Sequence, residues 1–179
     1  MKLLLASTSP RRRALLEAAG IPFTAVSPEV EETAPERGDP AAVALENAEA
    51  KARAVRGDLV LAADTVVALD GLLLHKPRDD ADARRILRAL SGTTHVVVTA
   101  IALRVRGDVH TACVETRVTM RSLSDTEIDA YVATGESKGK AGAYAIQEHG
   151  DRFVERLDGP YDNVVGLPMD AVRELLRRV

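Results

Sequence analysis

The stretch LVLAADTVVAL, Leu59–Leu69, is an apolar run that is interrupted only by Asp64 and Thr65. Its valines, leucines and alanines predict a strand that is covered on both faces, because such strands read as nearly continuous apolar runs. A carboxylate inside that strand is costly to bury unless it binds a cation, pairs with a charge or faces a wet cleft. The alternative is a strand-end aspartate that caps a turn. Charged clusters elsewhere in the chain favour a functional role for Asp64.

The composition of the 179-residue chain limits the classes of protein to which it can belong. A net charge of −3, no tryptophan, three tyrosines and two phenylalanines argue against nucleic-acid binding, which needs basic grooves and aromatic platforms. The single cysteine, Cys113, fits a reducing compartment, and its strand-like surroundings predict a small buried side chain. We find neither a signal-peptide core nor the roughly 20 apolar residues of a membrane span. We therefore expect one cytoplasmic domain over residues 1–179, without a membrane partner.

Apolar periodicity, capping residues and turn signals predict an α/β chain. The predicted strands are Lys2–Ala6, Phe23–Ser27, Leu59–Leu69, Leu72–Leu74, Thr93–Val105, Val109–Met120, Phe153–Leu157 and Val164-Val165. The predicted helices run from Pro10 to about Ala19, Asp39 to about Val55, Asp79 to Leu90, Ser124 to about Thr134, and Met169 to Arg178. The two long strands around Gly107 predict an antiparallel hairpin beside a parallel portion of the sheet.

The first helix carries an electrostatic conflict. Ser9 is its predicted N-cap and Pro10 its first residue, yet Arg11–Arg13 place three cations where the helix dipole is already positive. A serine-rich turn before a helix offers free backbone N–H groups to an anion, and arginine adds bidentate donors. A phosphate chain would resolve the conflict; the alternative is a solvated basic turn.

Three further segments carry charges that suggest a binding site. The acidic loop Glu29–Glu32 is either solvated or, beside a phosphate, able to hold a divalent cation. Lys51 lies on the apolar face of its helix together with Asn47, where a lysine either extends to solvent or points at a charge. Lys76 precedes Pro77, which favours an extended and exposed backbone.

The charged motifs occur in an order that resembles a known family, the Maf nucleotide pyrophosphatases, which are also known as septum-formation inhibitors. The motifs cover essentially the whole chain. They are Ser7–Arg12 (STSPRR), Glu31-Glu32, Lys51-Ala52, Ala63–Val67 (ADTVV), Lys76–Arg78 (KPR), Ser91–His95 (SGTTH), Lys140–Gln147 (KAGAYAIQ) and Val164–Pro168 (VVGLP).

This resemblance implies both a fold and a reaction. The implied fold is a Maf/ITPase-like, two-lobed α/β fold, with a mixed central sheet flanked by helices and a substrate cleft between the lobes. The implied reaction hydrolyses a nucleoside triphosphate between its α and β phosphates, which gives the monophosphate and pyrophosphate. The resemblance also implies a divalent metal cation (Mg²⁺ or Mn²⁺) and a homodimer.

The resemblance assigns roles to particular residues. Asp64 would accept the proton of the attacking water, with Lys76 and Glu32 as the other catalytic residues, and Asp64 and Glu32 would hold the metal. The implied substrate-binding residues are Ser7, Ser9, Arg11, Arg12, Lys51, Thr65, Lys140 and Gln147. Two positions depart from the family pattern. Gly139 stands where the family usually has aspartate, and Ala145 stands where the family often has glycine. The lost acid predicts weaker metal binding or a Lys140 without a partner.

Three residues bear on the base of the nucleotide. Thr65 and Gln147, together with Arg12, resemble the family subgroup that acts on dTTP and UTP, and modified pyrimidine nucleotides are possible substrates as well. A second subgroup, which acts on 7-methyl-GTP, usually carries glutamine at the position of Thr65. Besides hydrolysis of pyrimidine nucleotides or of 7-methyl-GTP, a third hypothesis is that the protein is a non-catalytic nucleotide-binding regulator of cell division. The retained Asp64 and Lys76 favour catalysis, because a pure binder needs no carboxylate that activates water.

Overall fold

Seven strands form one mixed sheet in the computed structural model, which describes residues 1–178. The strands are β1 (Leu3–Ala6), β2 (Thr24–Val26), β3 (Leu59–Leu69), β4 (Leu72–Leu74), β5 (Thr94–Val105), β6 (Asp108–Met120) and β7 (Val154–Asp158). Their order is β2-β1-β3-β5-β6-β7, and β4 pairs with the end of β3. The pairs β1–β2 and β1–β3 are parallel, and the other pairs are antiparallel. The predicted α/β class and the hairpin around Gly107 are confirmed.

The predicted central strand β3 has a gap along one edge. β1 pairs with β3 only as far as Ala62, and β4 begins to pair at Val67. The residues between these two points, Asp64 and Thr65 among them, pair with β5 on the other edge. Because open α/β sheets bind ligands in the crevice beyond the carboxyl ends of their strands, the end of β1 beside this gap is a natural place for a site.

Six α-helices cover the sheet in the described part of the chain. They are α1 (Pro10–Ala18), α2 (Pro40–Ala54), α3 (Asp80–Leu90), α4 (Asp125–Ala133), α5 (Tyr161–Val165) and α6 (Met169–Arg177), and short 3₁₀ turns lie at Ala141–Ala143 and His149–Phe153. The predicted N-caps Ser9, Asp39 and Asp79 all accept a backbone N–H of the first turn, and Ser124 with Glu127 forms the predicted capping box. Local capping chemistry therefore fixes where these helices begin.

The helices pack on both faces of the sheet and leave Asp64 and Thr65 pointing in opposite directions. On one face, Ala44 and Ala48 of α2 pack against Val60 and other small side chains. Helices α1 and α6 cover the opposite face, and α3 and α4 enclose a third apolar cluster near the end of β3. Since side chains alternate along a strand, Asp64 faces α2 and Thr65 faces α1. Among the described residues, no helix has the length and apolar character to cross a membrane.

Two predictions about local structure are wrong. Val164 and Val165 lie in the short helix α5 rather than in a strand, because the Asp162 carbonyl closes a helical turn with the backbone N–H groups of Gly166 and Leu167. Cys113 is exposed rather than buried. It lies on the half of β6 that has β5 as a neighbour on one side and, among the described residues, no paired strand on the other.

Candidate active site

A cavity of about 590 Å³ opens beside the gap in the edge of β3. All eleven residues that the sequence predicted for the site line this cavity: Ser7, Ser9, Arg11, Arg12, Glu32, Lys51, Asp64, Thr65, Lys76, Lys140 and Gln147. Lys138 lines it as well, so basic side chains outnumber the two carboxylates among the described lining residues. A cavity with that excess of positive charge suits a polyanionic ligand.

Asp64 is the most buried acid of the cavity, with 7% of its surface exposed. Its Oδ1 accepts a hydrogen bond of 2.6 Å from Lys51 Nζ, and its Oδ2 accepts one of 3.2 Å from Asn47 Nδ2. Lys51 Nζ also lies 2.8 Å from Glu32 Oε1, and Lys76 Nζ lies 3.9 Å from Glu32 Oε2. The buried carboxylate is therefore paired with a cation, as the cost of its burial requires.

Asn47 is a site residue that sequence reasoning did not assign. Its Nδ2 donates to the Thr33 carbonyl at 2.9 Å, and its Oδ1 accepts from the Thr33 backbone N–H at 2.8 Å. These bonds fasten the loop of Glu32 to α2, and the bond to Asp64 joins both to β3. The available signal was its position one helical turn before Lys51, which places both side chains on one face.

Glu32 and Asp64 converge on a single point. Burial alone would raise the pKa of Glu32, but the hydrogen bond and charge of Lys51, with the charges of Lys76 and Arg12, lower it overall. The Lys51 ammonium lies between Asp64 Oδ1 and Glu32 Oε1, at 2.6 and 2.8 Å, so a divalent cation would contact these carboxylates beside Lys51 or in its place. Mg²⁺ in proteins is held by one or two carboxylates together with substrate phosphates, so this pair fits a divalent cation.

Arg12 occupies the opposite wall of the cavity. Its Nε donates to the Gly166 carbonyl at 2.8 Å, its Nη1 to Ser7 Oγ at 3.3 Å and its Nη2 to Thr65 Oγ1 at 3.1 Å. Burial lowers the pKa of Arg12, and the nearby Asp64 opposes this effect. An arginine nevertheless stays protonated at neutral pH. Its side chain is therefore a fixed cation with directed donors.

The other two arginines of the first helix differ from Arg12. Arg11 is half-buried at the cavity, and its pKa is lowered by burial, whereas Arg13 is exposed. The helix thus presents two of its three cations to the cavity, where an anion would relieve their conflict with the helix dipole.

The segment that contains the two departures from the family pattern also lines the cavity. Lys140 Nζ donates to the Glu136 carbonyl and lies 3.7 Å from Glu148 Oε2. Of the two consequences predicted for Gly139, a Lys140 without a partner is wrong, because these two acceptors replace the aspartate. Weaker metal binding stays a prediction. Gln147 lies exposed at the rim.

Fold and site together define a mixed α/β protein with a polyanion-binding cavity around a paired, buried carboxylate. A family model described as Maf-like protein matches residues 2–179, and the chain belongs to that family. A protein of Anaeromyxobacter dehalogenans named dTTP/UTP pyrophosphatase is 51% identical over 99% of this chain and 93% of its own length. A protein of Bacillus cytotoxicus with the same name is 46% identical over 97% and 94%.

The solved structures include a more distant likeness. The Ham1 protein of Staphylococcus aureus is 16% identical over 67% of this chain and 72% of its own, with a TM-score of 0.46. A likeness of that size supports no inference about the site.

Proposed function

We propose that this protein is a nucleoside triphosphate pyrophosphatase that hydrolyses dTTP and UTP to the monophosphate and pyrophosphate. The observation that carries the proposal is Asp64, a buried carboxylate at the wall of a cavity whose other charged groups are mainly cations. The names of the Anaeromyxobacter and Bacillus relatives, which match nearly the whole chain, support the reaction and the two substrates.

Asp64 is the proposed proton acceptor. A water between Asp64 and the substrate attacks the α-phosphorus, and its proton passes to the carboxylate. The bond from that phosphorus to the oxygen that bridges the α and β phosphates breaks, and pyrophosphate leaves. Lys51 and Asn47 hold both oxygens of Asp64 at 2.6 and 3.2 Å, which fixes the direction from which the carboxylate receives the proton. Such positioned general-base catalysis contributes about 10²–10⁴-fold to a rate.

The phosphates are bound by the cations that surround Asp64. Arg11 and Arg12 approach from the helix terminus, where the hydroxyls of Ser7 and Ser9 add donors, and Lys76 approaches from the opposite side. These groups stabilise the negative charge that develops on the leaving pyrophosphate. Lys140, which also lines the cavity, is a further proposed phosphate contact.

A divalent cation, Mg²⁺ or Mn²⁺, is the proposed cofactor, and Asp64 with Glu32 would hold it. When bound, it would polarise the phosphate oxygens and offset their charge. Since no group of three or more His, Cys, Asp or Glu side chains converges in the described residues, its remaining ligands would come from substrate and water.

The proposed base-reading residues are Arg12, Thr65 and Gln147. Hydroxyl, amide and guanidinium groups discriminate between bases, because the wrong base leaves polar groups of the site unpaired. The homodimer and the cytoplasmic location implied above remain predictions. Sedimentation of the purified protein tests the first and fractionation of the source cells tests the second.

The test is pyrophosphate release from dTTP, UTP, CTP, dGTP and 7-methyl-GTP, with Mg²⁺ or Mn²⁺, by the wild type and Asp64→Asn. We expect turnover of dTTP and UTP that is lost in Asp64→Asn, whereas binding of a non-hydrolysable dTTP analogue persists. Asp82→Asn is the matched control, because Asp82 is 8% exposed, pairs with arginines and lies outside the cavity.

Other outcomes select the alternative hypotheses. Activity centred on 7-methyl-GTP would keep the reaction and overturn the base assignment. Binding of the dTTP analogue without turnover of any nucleotide would refute the enzyme and favour a nucleotide-binding regulator.

A further inference from the structure

A chain of hydrogen bonds leads from the cavity into the core behind Thr65. Arg12 Nη2 lies 3.1 Å from Thr65 Oγ1, which lies 2.9 Å from Thr99 Oγ1. Thr99 Oγ1 in turn lies 2.8 Å from the carbonyl oxygen of Asn163. Thr99 is fully buried, so it cannot touch a ligand itself.

The two ends of this chain fix the direction of every proton in it. The guanidinium of Arg12 can only donate, and the carbonyl of Asn163 can only accept. Thr99 has one hydroxyl proton, and the Asn163 carbonyl takes it. Thr99 must then accept from Thr65, so the Thr65 proton points into the core and away from the cavity.

The helical turn of α5 explains why the Asn163 carbonyl depends on Thr99. The N–H groups of Gly166 and Leu167 both donate to the Asp162 carbonyl. In a regular α-helix the Leu167 N–H would donate to the Asn163 carbonyl, so that carbonyl lacks its usual helical donor. The Asn163 side chain holds the turn in place, because its Nδ2 donates to the Val97 carbonyl at 3.0 Å. The acceptor is therefore rigid as well as buried.

Thr65 can consequently offer the cavity only one kind of interaction. Its proton is committed to Thr99 and one lone pair is committed to Arg12, which leaves a single lone pair. A ligand group that faces Thr65 must be a donor. The N3–H of uracil and thymine is such a donor, whereas N3 of cytosine carries no proton and is an acceptor.

We propose that Thr99 is a positioning residue that leaves the Thr65 hydroxyl able only to accept a hydrogen bond from a ligand. This fixed role as acceptor selects uracil and thymine nucleotides over cytosine nucleotides. The proposal rests on the proposed function, since it assumes that Thr65 faces N3 of the base of a pyrimidine triphosphate. It goes further by assigning base selection to a buried residue outside the cavity, through the direction of a proton.

The test compares kcat/KM for UTP and CTP in the wild type and in Thr99→Val, which keeps the shape and removes the hydroxyl. Without Thr99 as acceptor, the Thr65 hydroxyl is free to turn and donate to cytosine N3. We expect the UTP to CTP ratio to fall at least about tenfold, a change of about 1.4 kcal/mol, mainly because kcat/KM for CTP rises. Thr99→Ser restores the acceptor and should restore the ratio.

Thr116→Val is the matched control. Thr116 is also fully buried, and its Oγ1 accepts from Asn163 Nδ2 at 3.0 Å, beyond the carbonyl that ends the chain. The same substitution there should leave the ratio within twofold of the wild type. Thr99→Ala removes the same hydroxyl and replaces the valine variant if that variant does not fold.

Two results separate the inference from the proposed function. An active wild type whose UTP to CTP ratio is unchanged in Thr99→Val, or changed equally in Thr116→Val, overturns the inference alone. A wild type that releases no pyrophosphate from UTP overturns the proposed function, and the inference with it.

Discussion

Replacement of Lys51 by methionine tests how the carboxylates of the cavity are held together. The Lys51 ammonium contacts both Asp64 and Glu32, at 2.6 and 2.8 Å. Methionine fills a similar volume without the charge. The substitution therefore leaves two carboxylates facing each other, one of them buried, with no cation between them.

The expected loss of stability follows from the exposure of the three groups. Lys51 is 5% exposed and Asp64 7%, so this pair is buried, whereas the Glu32 side chain is 39% exposed. Removal of one partner from a buried pair costs about 3–5 kcal/mol, and an exposed pair contributes about 1 kcal/mol at most. Because Asp64 borders a cavity that admits water, we expect the lower end of that range, about 3 kcal/mol.

Urea denaturation with excess chelator, analysed by linear extrapolation, measures this free energy of unfolding. Asp64→Asn in the Lys51→Met background removes the stranded charge and should recover about 2 kcal/mol, which closes a double-mutant cycle. Lys138→Met is the control, because Lys138 lines the same cavity but is 73% exposed. It should change stability by less than about 0.5 kcal/mol. A loss below about 1 kcal/mol in Lys51→Met, or no recovery in the double variant, would refute the reasoning.

Two other predictions concern stability. Burial lowers the pKa of His95 to about 4 from 6.5, so the unfolded chain binds more protons between these values. The free energy of unfolding of the wild type should therefore fall by roughly 3 kcal/mol as the pH drops through this range. Urea titrations at a series of pH values should show a weaker dependence of this free energy on pH for His95→Gln. An equal dependence in both proteins would contradict the prediction. At Gly159, a Cβ atom would lie 2.7 Å from Thr116 Oγ1, so Gly159→Ala should cost about 1–3 kcal/mol. Gly107→Ala, at a similar φ but in open space, isolates the backbone cost in thermal melts, and equal losses would exclude the clash.

The fold was predictable where local signals and burial agree. The apolar run of β3, the hairpin at Gly107 and the capped helices appear within a few residues of their predicted ends. Val164 and Val165 were misassigned because their β-branched side chains favour strands, whereas the turn around Asp162 and its contact with β5 make them helical. Cys113 was misassigned because the sequence of β6 does not show that β7 pairs only with its other half, which leaves Cys113 exposed.

The site was predictable as a set of residues but not as a network. Motif resemblance named the charged lining of the cavity, since each charged residue is recognisable by type and position. The roles of Asn47 and Thr99 depend on which strands and loops meet, such as the register that places Thr65 opposite Thr99. A threonine in an apolar strand gives no sign of the direction of its proton, because that direction is set by residues far away in the chain.

The hydrogen bond from Arg12 to the Gly166 carbonyl has a consequence for folding during synthesis. These residues are 154 positions apart, so one wall of the cavity is built from the beginning and the end of the chain. At synthesis rates of about 5–20 residues per second, roughly 8 to 30 s pass between the synthesis of Arg12 and that of Gly166. The cavity is thus among the last features of the molecule to be completed, and a chain cut short before α5 has Asp64 but lacks the Gly166 carbonyl that holds Arg12.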